Sequence, residues 1–362
     1  MGFLQEQAEE DLLGDSEVTT VGGTPRSLGY VMPAEWERHE ATWVSWPKNH
    51  GTFPGGILPK VEEAYVKMVG ALAVGEEVRI LVDDSKSEER VWGLVRGAER
   101  VTFHRIRTVD VWTRDYLPTY VRGSDVAVVK WRFNAWGGKY EDLLPDDESG
   151  EAVAAASRLR TFKPGVVLEG GSIDPNGAGT VLTTEQCLLN PNRNPRLRRD
   201  GIEKLLADYV GGESVVWLKR GIEGDDTDGH VDDIARFVAP RTVAAAVEPG
   251  RSDRNHAALD ENLKILRAAQ DPRGRPFQIE EIPMPAPVAS ADGRLPASHL
   301  NFYIGNAVVL VPTFGGESDR AAMGAMQALF PSREVVGVDC RALVHGLGTL
   351  HCVTQQVPSA HL

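Results

Sequence analysis

One recurring pattern restricts the folding of this chain more than any other feature. Two short apolar strands joined by a turn are followed by a helix and then by a third strand. The first pass opens with a strand-like run at 41–46 and a Gly/Pro loop. A helix over 58–74 follows, with Val61, Ala64, Tyr65, Met68 and Leu72 on one face. A strand at 78–82, a short amphipathic segment at 86–94 and a strand at 101–106 complete it. The second pass predicts strands 118–121 and 126–133 around Arg122-Gly123-Ser124-Asp125, a helix 150–159 and a strand 165–168. The third predicts 172–173 and 180–184 around an Asn-Gly turn, a helix 196–209 and a strand 215–218. The fourth predicts 234–238 and 243–247, a helix 253–269 and a strand 277–282. The fifth predicts 300–304 and 307–311 around Gly305-Asn306, a helix 318–329 and a strand 334–338.

A unit repeated five times at this spacing is an architecture in itself. A doubly wound sheet would alternate strand and helix without the hairpins. Hairpin plus helix, repeated, suits units set around a common axis with helices outside, an arrangement that also hides strand edges. The repeats share no sequence motif, so the expectation rests on pattern alone. Residues 1–26 are polar and acidic and read as a flexible leader, leaving 27–362 as a single α/β domain. The leader has neither the basic start nor the apolar core of a signal peptide.

Composition excludes several function classes. The formal net charge of −13 repels nucleic acid and anionic membrane, and no apolar run reaches the length of a membrane span. Three cysteines in 362 residues do not make a disulfide framework, which points to a reducing cytoplasm.

The polar motifs fall between the repeated units. Trp112-Thr113-Arg114-Asp115-Tyr116 sets a carboxylate beside an aromatic wall, which suits a flat cation; taken alone, it is read first as a structural Arg–Asp pair with a packed tryptophan. The loop 133–138 carries Trp136 and two glycines, as a pocket wall or a packed turn. Glu169 ends an apolar strand, which is costly for a carboxylate unless it is paired, functional or turned to water. The densest cluster is Gly224-Asp225-Asp226-Thr227-Asp228-Gly229-His230-Val231-Asp232-Asp233. It fails as a calcium loop, because Gly224 would be the first ligand and Ala235 the twelfth. His230 and Asp232, two apart at the start of a strand, would share one face as an acid/base pair.

Of the cysteines, Cys187 and Cys340 end apolar runs and read as packed thiols. Cys352 follows the glycine-containing loop Gly346-Leu347-Gly348-Thr349-Leu350-His351 and is the nucleophile candidate. No ligand spacing diagnostic of a metal is present.

Taken together, the segments 112–118, 133–138, 168–172, 189–195, 225–233, 296–306 and 351–358 resemble the agmatine deiminases of the guanidine-modifying superfamily, close to the bacterial peptidylarginine deiminase type. The resemblance implies a five-bladed α/β propeller (pentein fold) with the site on its axis, and neither metal nor organic cofactor. It implies Cys352 as nucleophile, His230 as general acid/base with Glu169 beside it, and Asp115 and Asp232 as the grip on a guanidinium. Trp112 would line the pocket, with Trp136 and Gly348 touching substrate. Three departures stand out: Leu117 for a glycine, Asp228 for an asparagine, and Leu347 to Leu350 in the cysteine loop.

The expected reaction is hydrolysis of agmatine to N-carbamoylputrescine and ammonia through a cysteine thiouronium. Deimination of free or peptidyl arginine, an amidinotransferase, and a silent guanidine-binding protein are the alternatives. The expected partner is a small cationic guanidine, in a homo-oligomer with no nucleic acid or membrane.

Overall fold

In the computed structural model the described residues are 23–360. The leader expected over 1–26 lies outside them as far as residue 22, and its last residues enter a capped 3-10 turn at Arg26–Leu28.

Among the described residues six sheets form: a two-stranded ribbon, Ala289–Ser290 with Gly293–Arg294, and five larger sheets, four of them built to one plan. An inner strand runs antiparallel to a central strand, and a helix returns the chain so that a third strand pairs parallel with the centre. The hairpin needs only a tight turn, whereas the parallel pairing needs the helical crossover. The sets are Thr119–Arg122, Val126–Val129 and Arg160–Phe162; Ile173–Pro175, Thr180–Thr184 and Ser214–Leu218; Ala235–Ala239, Thr242–Val247 and Gln278–Pro283; and Tyr303–Ile304, Val308–Thr313 and Glu334–Asp339.

The remaining sheet is assembled from both ends of the described chain. Its central strand, His39–Ser45, pairs parallel with Glu77–Val82, which pairs with Val101–Arg105. Its antiparallel inner partner is Gln355–Pro358, with Ala41 opposite Val357. The first unit therefore has no hairpin of its own.

Central strands such as Val126–Val129 and Thr180–Thr184 are buried throughout, while Gln278–Pro283 and Val101–Arg105 are largely open to solvent. Burial thus falls from the inner strands outward. The helices present one apolar face to these sheets, as the 3.6-residue period requires. Leu58–Leu72 buries Val61, Ala64, Tyr65, Met68 and Leu72, the residues expected from the sequence. The Ser85–Leu94 helix is started by Asp84, whose side chain accepts from Ser87 N while Ser87 Oγ accepts from Asp84 N.

Two expectations need correction. The apolar run 165–168 is not the third strand of its unit; the shorter, more polar Arg160–Phe162 is, and Val167 makes only an isolated bridge to Arg132. His230 and Asp232 do not share a strand face, since Val231–Asp233 is a 3-10 turn and the strand begins at Ala235.

Among the described residues no helix is long and apolar enough to cross a membrane.

Candidate active site

Each inner strand is preceded by a short turn, and these five turns carry the polar chemistry. Asp115 sits in Thr113–Tyr116, Glu169 begins the turn Gly170–Ser172, and Asp232 lies in Val231–Asp233. Asn301 precedes Tyr303–Ile304, and Cys352 precedes Gln355–Pro358. The chain repeats its topology, so each repeat brings a polar side chain to the turn before its inner strand.

The sequence-identified residues meet there. His230 Nδ1 lies 3.9 Å from Asp115 Oδ1, and its Nε2 lies 4.0 Å from Glu169 Oε2. Cys352 Sγ lies 3.8 Å from Asp232 Oδ2. Gly171 stands in the middle: a methyl at its Cα would come within 2.7 Å of His230 Nδ1 and 3.0 Å of both Asp115 Oδ1 and Asp232 Oδ2. Its backbone N–H donates to Asp115 Oδ1 at 3.1 Å. Trp136 Nε1 donates to the other oxygen, Oδ2, at 2.9 Å.

Trp136 reaches Asp115 through an unusual backbone. Ala135, Trp136, Gly137 and Gly138 all have positive φ, 52°, 53°, 89° and 77°. For the alanine and tryptophan this left-handed turn costs roughly 1–2 kcal/mol each. Local contacts offset it: Gly137 N donates to Asn134 Oδ1 at 2.8 Å, and Trp136 packs edge-on against Phe133 and Tyr140.

The cysteine loop is held by Asn301, which the sequence reading did not single out. Its Oδ1 accepts from Thr349 Oγ1 at 2.9 Å, from His351 N at 3.0 Å and from Cys352 N at 3.3 Å. Its Nδ2 donates to Cys352 Sγ at 3.2 Å and to Asp233 Oδ1 at 3.1 Å. Gly348 touches Trp112 and Cys352, leaving no space for a β-carbon, which would meet Trp112 Cζ3 at 2.6 Å.

Arg193 is a second missed residue. Its Nε donates to Glu169 Oε1 at 2.6 Å, and NH1 donates to Asp228 Oδ2 at 2.6 Å. Asp228, where the resembled motif has asparagine, therefore serves as the anchor of the arginine that holds Glu169. Lys139 Nζ binds it too, at 2.8 Å.

Burial without full pairing sets the electrostatics. Glu169 Oε2, Asp232 Oδ1 and both ring nitrogens of His230 are buried with no hydrogen-bond partner among the described residues. Such groups are costly in a folded protein unless a ligand completes them. Burial pushes Asp115 up to about 6; His230 opposes this, while Asp232 and Glu169 add to it. Burial alone would lower the His230 pKa, but Asp115, Cys187 and Glu169 hold it well above the usual imidazole value. The Cys352 thiol is pushed well up by burial, then by Asp232, Asp233 and Asp115.

Cys187 was expected to be a packed thiol. It is buried, and it also stands against the site: its sulfur, a His230 ring nitrogen and a Glu169 oxygen lie within 4.8 Å of one another. These are the donor types of a metal site, with the Arg193 guanidinium beside Glu169 opposing a cation. Cys340 is buried in the apolar core.

A cavity of about 260 Å³ leads to Cys352, lined by Trp112, Asp115, Trp136, Tyr140 and the 345–348 loop. Three further aspartates line it, Asp110, Asp142 and Asp226, and among the described residues no lysine or arginine does. Tyr140 donates its hydroxyl proton to Asp226, and Thr52 donates to Asp110. A planar cation fits this setting, with carboxylates at its edge, a thiol at its centre and an imidazole to move protons.

Comparison with known proteins agrees with that chemistry. The family model of the Porphyromonas-type peptidyl-arginine deiminases matches residues 31–358. An agmatine deiminase of Stutzerimonas stutzeri is 36% identical over 367 residues, covering 94% of this chain and 99% of its own. The solved agmatine deiminase of Enterococcus faecalis is 32% identical, with a TM-score of 0.87 and coverage of 94% and 99%. A C. jejuni agmatine deiminase solved with substrate bound is 27% identical, with a TM-score of 0.83 and coverage of 91% and 96%.

Proposed function

The chain belongs to the Porphyromonas-type peptidyl-arginine deiminase family, and on that footing we propose that it hydrolyses agmatine to N-carbamoylputrescine and ammonia. The observation that carries the choice of substrate is the cavity lining. Agmatine is cationic at both ends. Asp115, which lines the cavity, and Asp232, 3.8 Å from the Cys352 sulfur, suit its guanidinium, and Asp110, Asp142 and Asp226, which also line the cavity, suit the amine at its far end. Arginine carries a carboxylate there, which would face three aspartates and, among the described residues, no lysine or arginine, an arrangement that repels it.

The mechanism follows from the charges. A guanidinium carbon is a poor electrophile, because resonance spreads its charge. Two carboxylates fix its plane and hold the carbon against the sulfur. Free Cys352 keeps its proton, since burial and three aspartates disfavour the thiolate. The arriving cation reverses that balance, and the thiol proton is released as substrate binds. Thiolate attack on carbon gives a tetrahedral adduct. Protonated His230 gives its proton to the departing nitrogen, ammonia leaves, and a thiouronium remains on Cys352. His230, now neutral, takes a proton from water as the water attacks the same carbon. The C–S bond breaks, and the ureido product departs. Glu169, fixed by Arg193, favours the protonated imidazole needed for the first half.

The arrangement we favour for the whole domain, residues 27–362, is a five-bladed propeller around this site. Five sheets of three or four strands, five junction turns converging on one cluster, and a first sheet closed by the 355–358 strand support it.

The deciding assay is incubation with agmatine, free arginine and an arginyl peptide, followed by measurement of ureido product and ammonia. Agmatine should be turned over far faster than the others. Preferred turnover of arginine, or binding of agmatine without product, would overturn the proposal. Cys352→Ala should abolish turnover and leave the fold intact, and a thiouronium should be found by mass spectrometry on Cys352, not on Cys187 or Cys340.

A further inference from the structure

Behind Asp232 lies a buried chain of charges that the reaction above does not use. His351 Nδ1 is 2.7 Å from Asp232 Oδ2, and its Nε2 is 2.8 Å from Glu35 Oε2. Ionised carboxylates only accept hydrogen bonds, so a ring held between two of them carries a proton on each nitrogen. Glu35 is itself fixed from three sides: Arg236 NH2 at 2.9 Å, Arg114 NH2 at 3.5 Å, and Ile304 N, which donates to its Oε1 at 2.9 Å. His351 and Glu35 are 2% and 7% exposed, so water does not screen the arrangement.

We propose that His351 and Glu35 are positioning residues, forming a carboxylate–imidazolium–carboxylate clamp. The clamp keeps Asp232 ionised and turns its unpartnered Oδ1 toward the guanidinium. The inference rests on the guanidinium-hydrolase reading of the site and deepens it.

The two carboxylates of the grip provide an internal comparison. Both are buried in the same acidic cluster. The groups facing Asp232 are His351 from the cysteine loop, His230 and Asp233 from its own turn, Arg236 from the next strand, and Asp115 and Cys352 from neighbouring junctions. Burial works against its charge, yet His351 first, then His230 and Arg236, hold its carboxyl below the usual carboxylate range. Asp115 has no such clamp, only neutral N–H donors and His230, and burial pushes it up to about 6. One carboxylate is thus charged before substrate arrives, and the other is readily protonated in mild acid. A group charged in advance costs no reorganisation when the cation binds.

The test is the pH dependence of kcat/KM in His351→Asn, with Glu35→Gln as the second variant should the first fold poorly. Asparagine can still donate one hydrogen bond but carries no charge. Without the imidazolium, Asp232 needs a higher pH to ionise. The acid limb should move up by one unit or more, a loss of at least about tenfold on that limb, with recovery toward wild type at alkaline pH. Glu35→Gln should move it in the same direction by less. A loss equal at every pH would indicate a merely structural role and overturn the proposal. A second readout needs no turnover and stands even if agmatine is not the substrate. In 15N-histidine spectra the signals lost in His351→Asn should be those of a doubly protonated imidazolium in the wild type near neutral pH, and a neutral tautomer would overturn the clamp.

Discussion

Gly171 and Gly348 stand against the groups proposed to react, and neither leaves space for a methyl group. In Gly171→Ala the new carbon would sit 2.7 Å from His230 Nδ1 and 3.0 Å from two carboxylate oxygens. We expect kcat/KM to fall by about 10²-fold or more, as displacements of about 1 Å at reacting groups do, with a thermal midpoint close to wild type. Asn301→Ala removes the acceptor shared by Thr349, His351 and Cys352. It should lower kcat by about 10²-fold, chiefly through misplacement of the sulfur, and steady-state kinetics with circular dichroism would check both. At this scale the sequence was informative where a motif is local. Asp115, Glu169, His230, Asp232 and Cys352 all stood in legible clusters, and all reach the site. Asn301, Arg193 and Glu35 did not stand out, because their partners are distant in the chain; His351 and Glu35 are separated by 316 positions. Asp226 was hidden differently, as one acidic residue among several neighbours.

Elements were read best where burial imposes a period. The Leu58–Leu72 helix and the hairpins around Arg122–Val126 and Gly305-Asn306 follow their patterns closely. The pattern misled where a short apolar run was taken for a strand: 165–168 is irregular chain leading to Glu169, with Gly165 at positive φ and a single bridge at Val167, and sheet pairing falls to Arg160–Phe162. Alternation misled at His230 and Asp232, where a 3-10 turn supplies the proximity that a strand face was expected to give. The pairing of Gln355–Pro358 with His39–Ser45 left no local signal at all, since nothing in either segment names its partner. That pairing has a measurable consequence. Val357→Ala, at a buried position opposite Ala41, should cost about 2 kcal/mol, within the range for a truncated core side chain. Denaturant unfolding would give the value. Hydrogen exchange should speed up in His39–Ser45 and around Cys352 before it does in Thr180–Thr184.

For the whole molecule, buried acids govern how stability responds to pH. Burial raises Asp146 to about 7, Asp110 to about 6 and Asp115 to about 6, while the same groups in an unfolded chain titrate near 4. Between those limits the folded state binds more protons, so the stability they contribute is fully present below about pH 4 and is lost as pH rises through 6 to 7. His230, also raised, acts in the same direction. His104 and His299, lowered by burial, act in the opposite direction, and the depressed carboxyls of Glu35 and Glu62 lose their contribution only in stronger acid. The melting temperature should therefore be higher at about pH 6 than at about pH 8, and calorimetry that found the reverse would contradict this balance. Enzymatic rate should run against it, since Asp115 must be ionised to hold a cation.

Sheet closure also fixes when a molecule of this kind first becomes competent. On a translating ribosome, four sheets can form while the strand that seats the sulfur has yet to leave the exit tunnel. The ends of the first sheet then wait unpaired for a partner made after every other described strand. A stalled nascent chain ending before Gln355 should thus carry nearly all of the enzyme's chemistry and perform none of it.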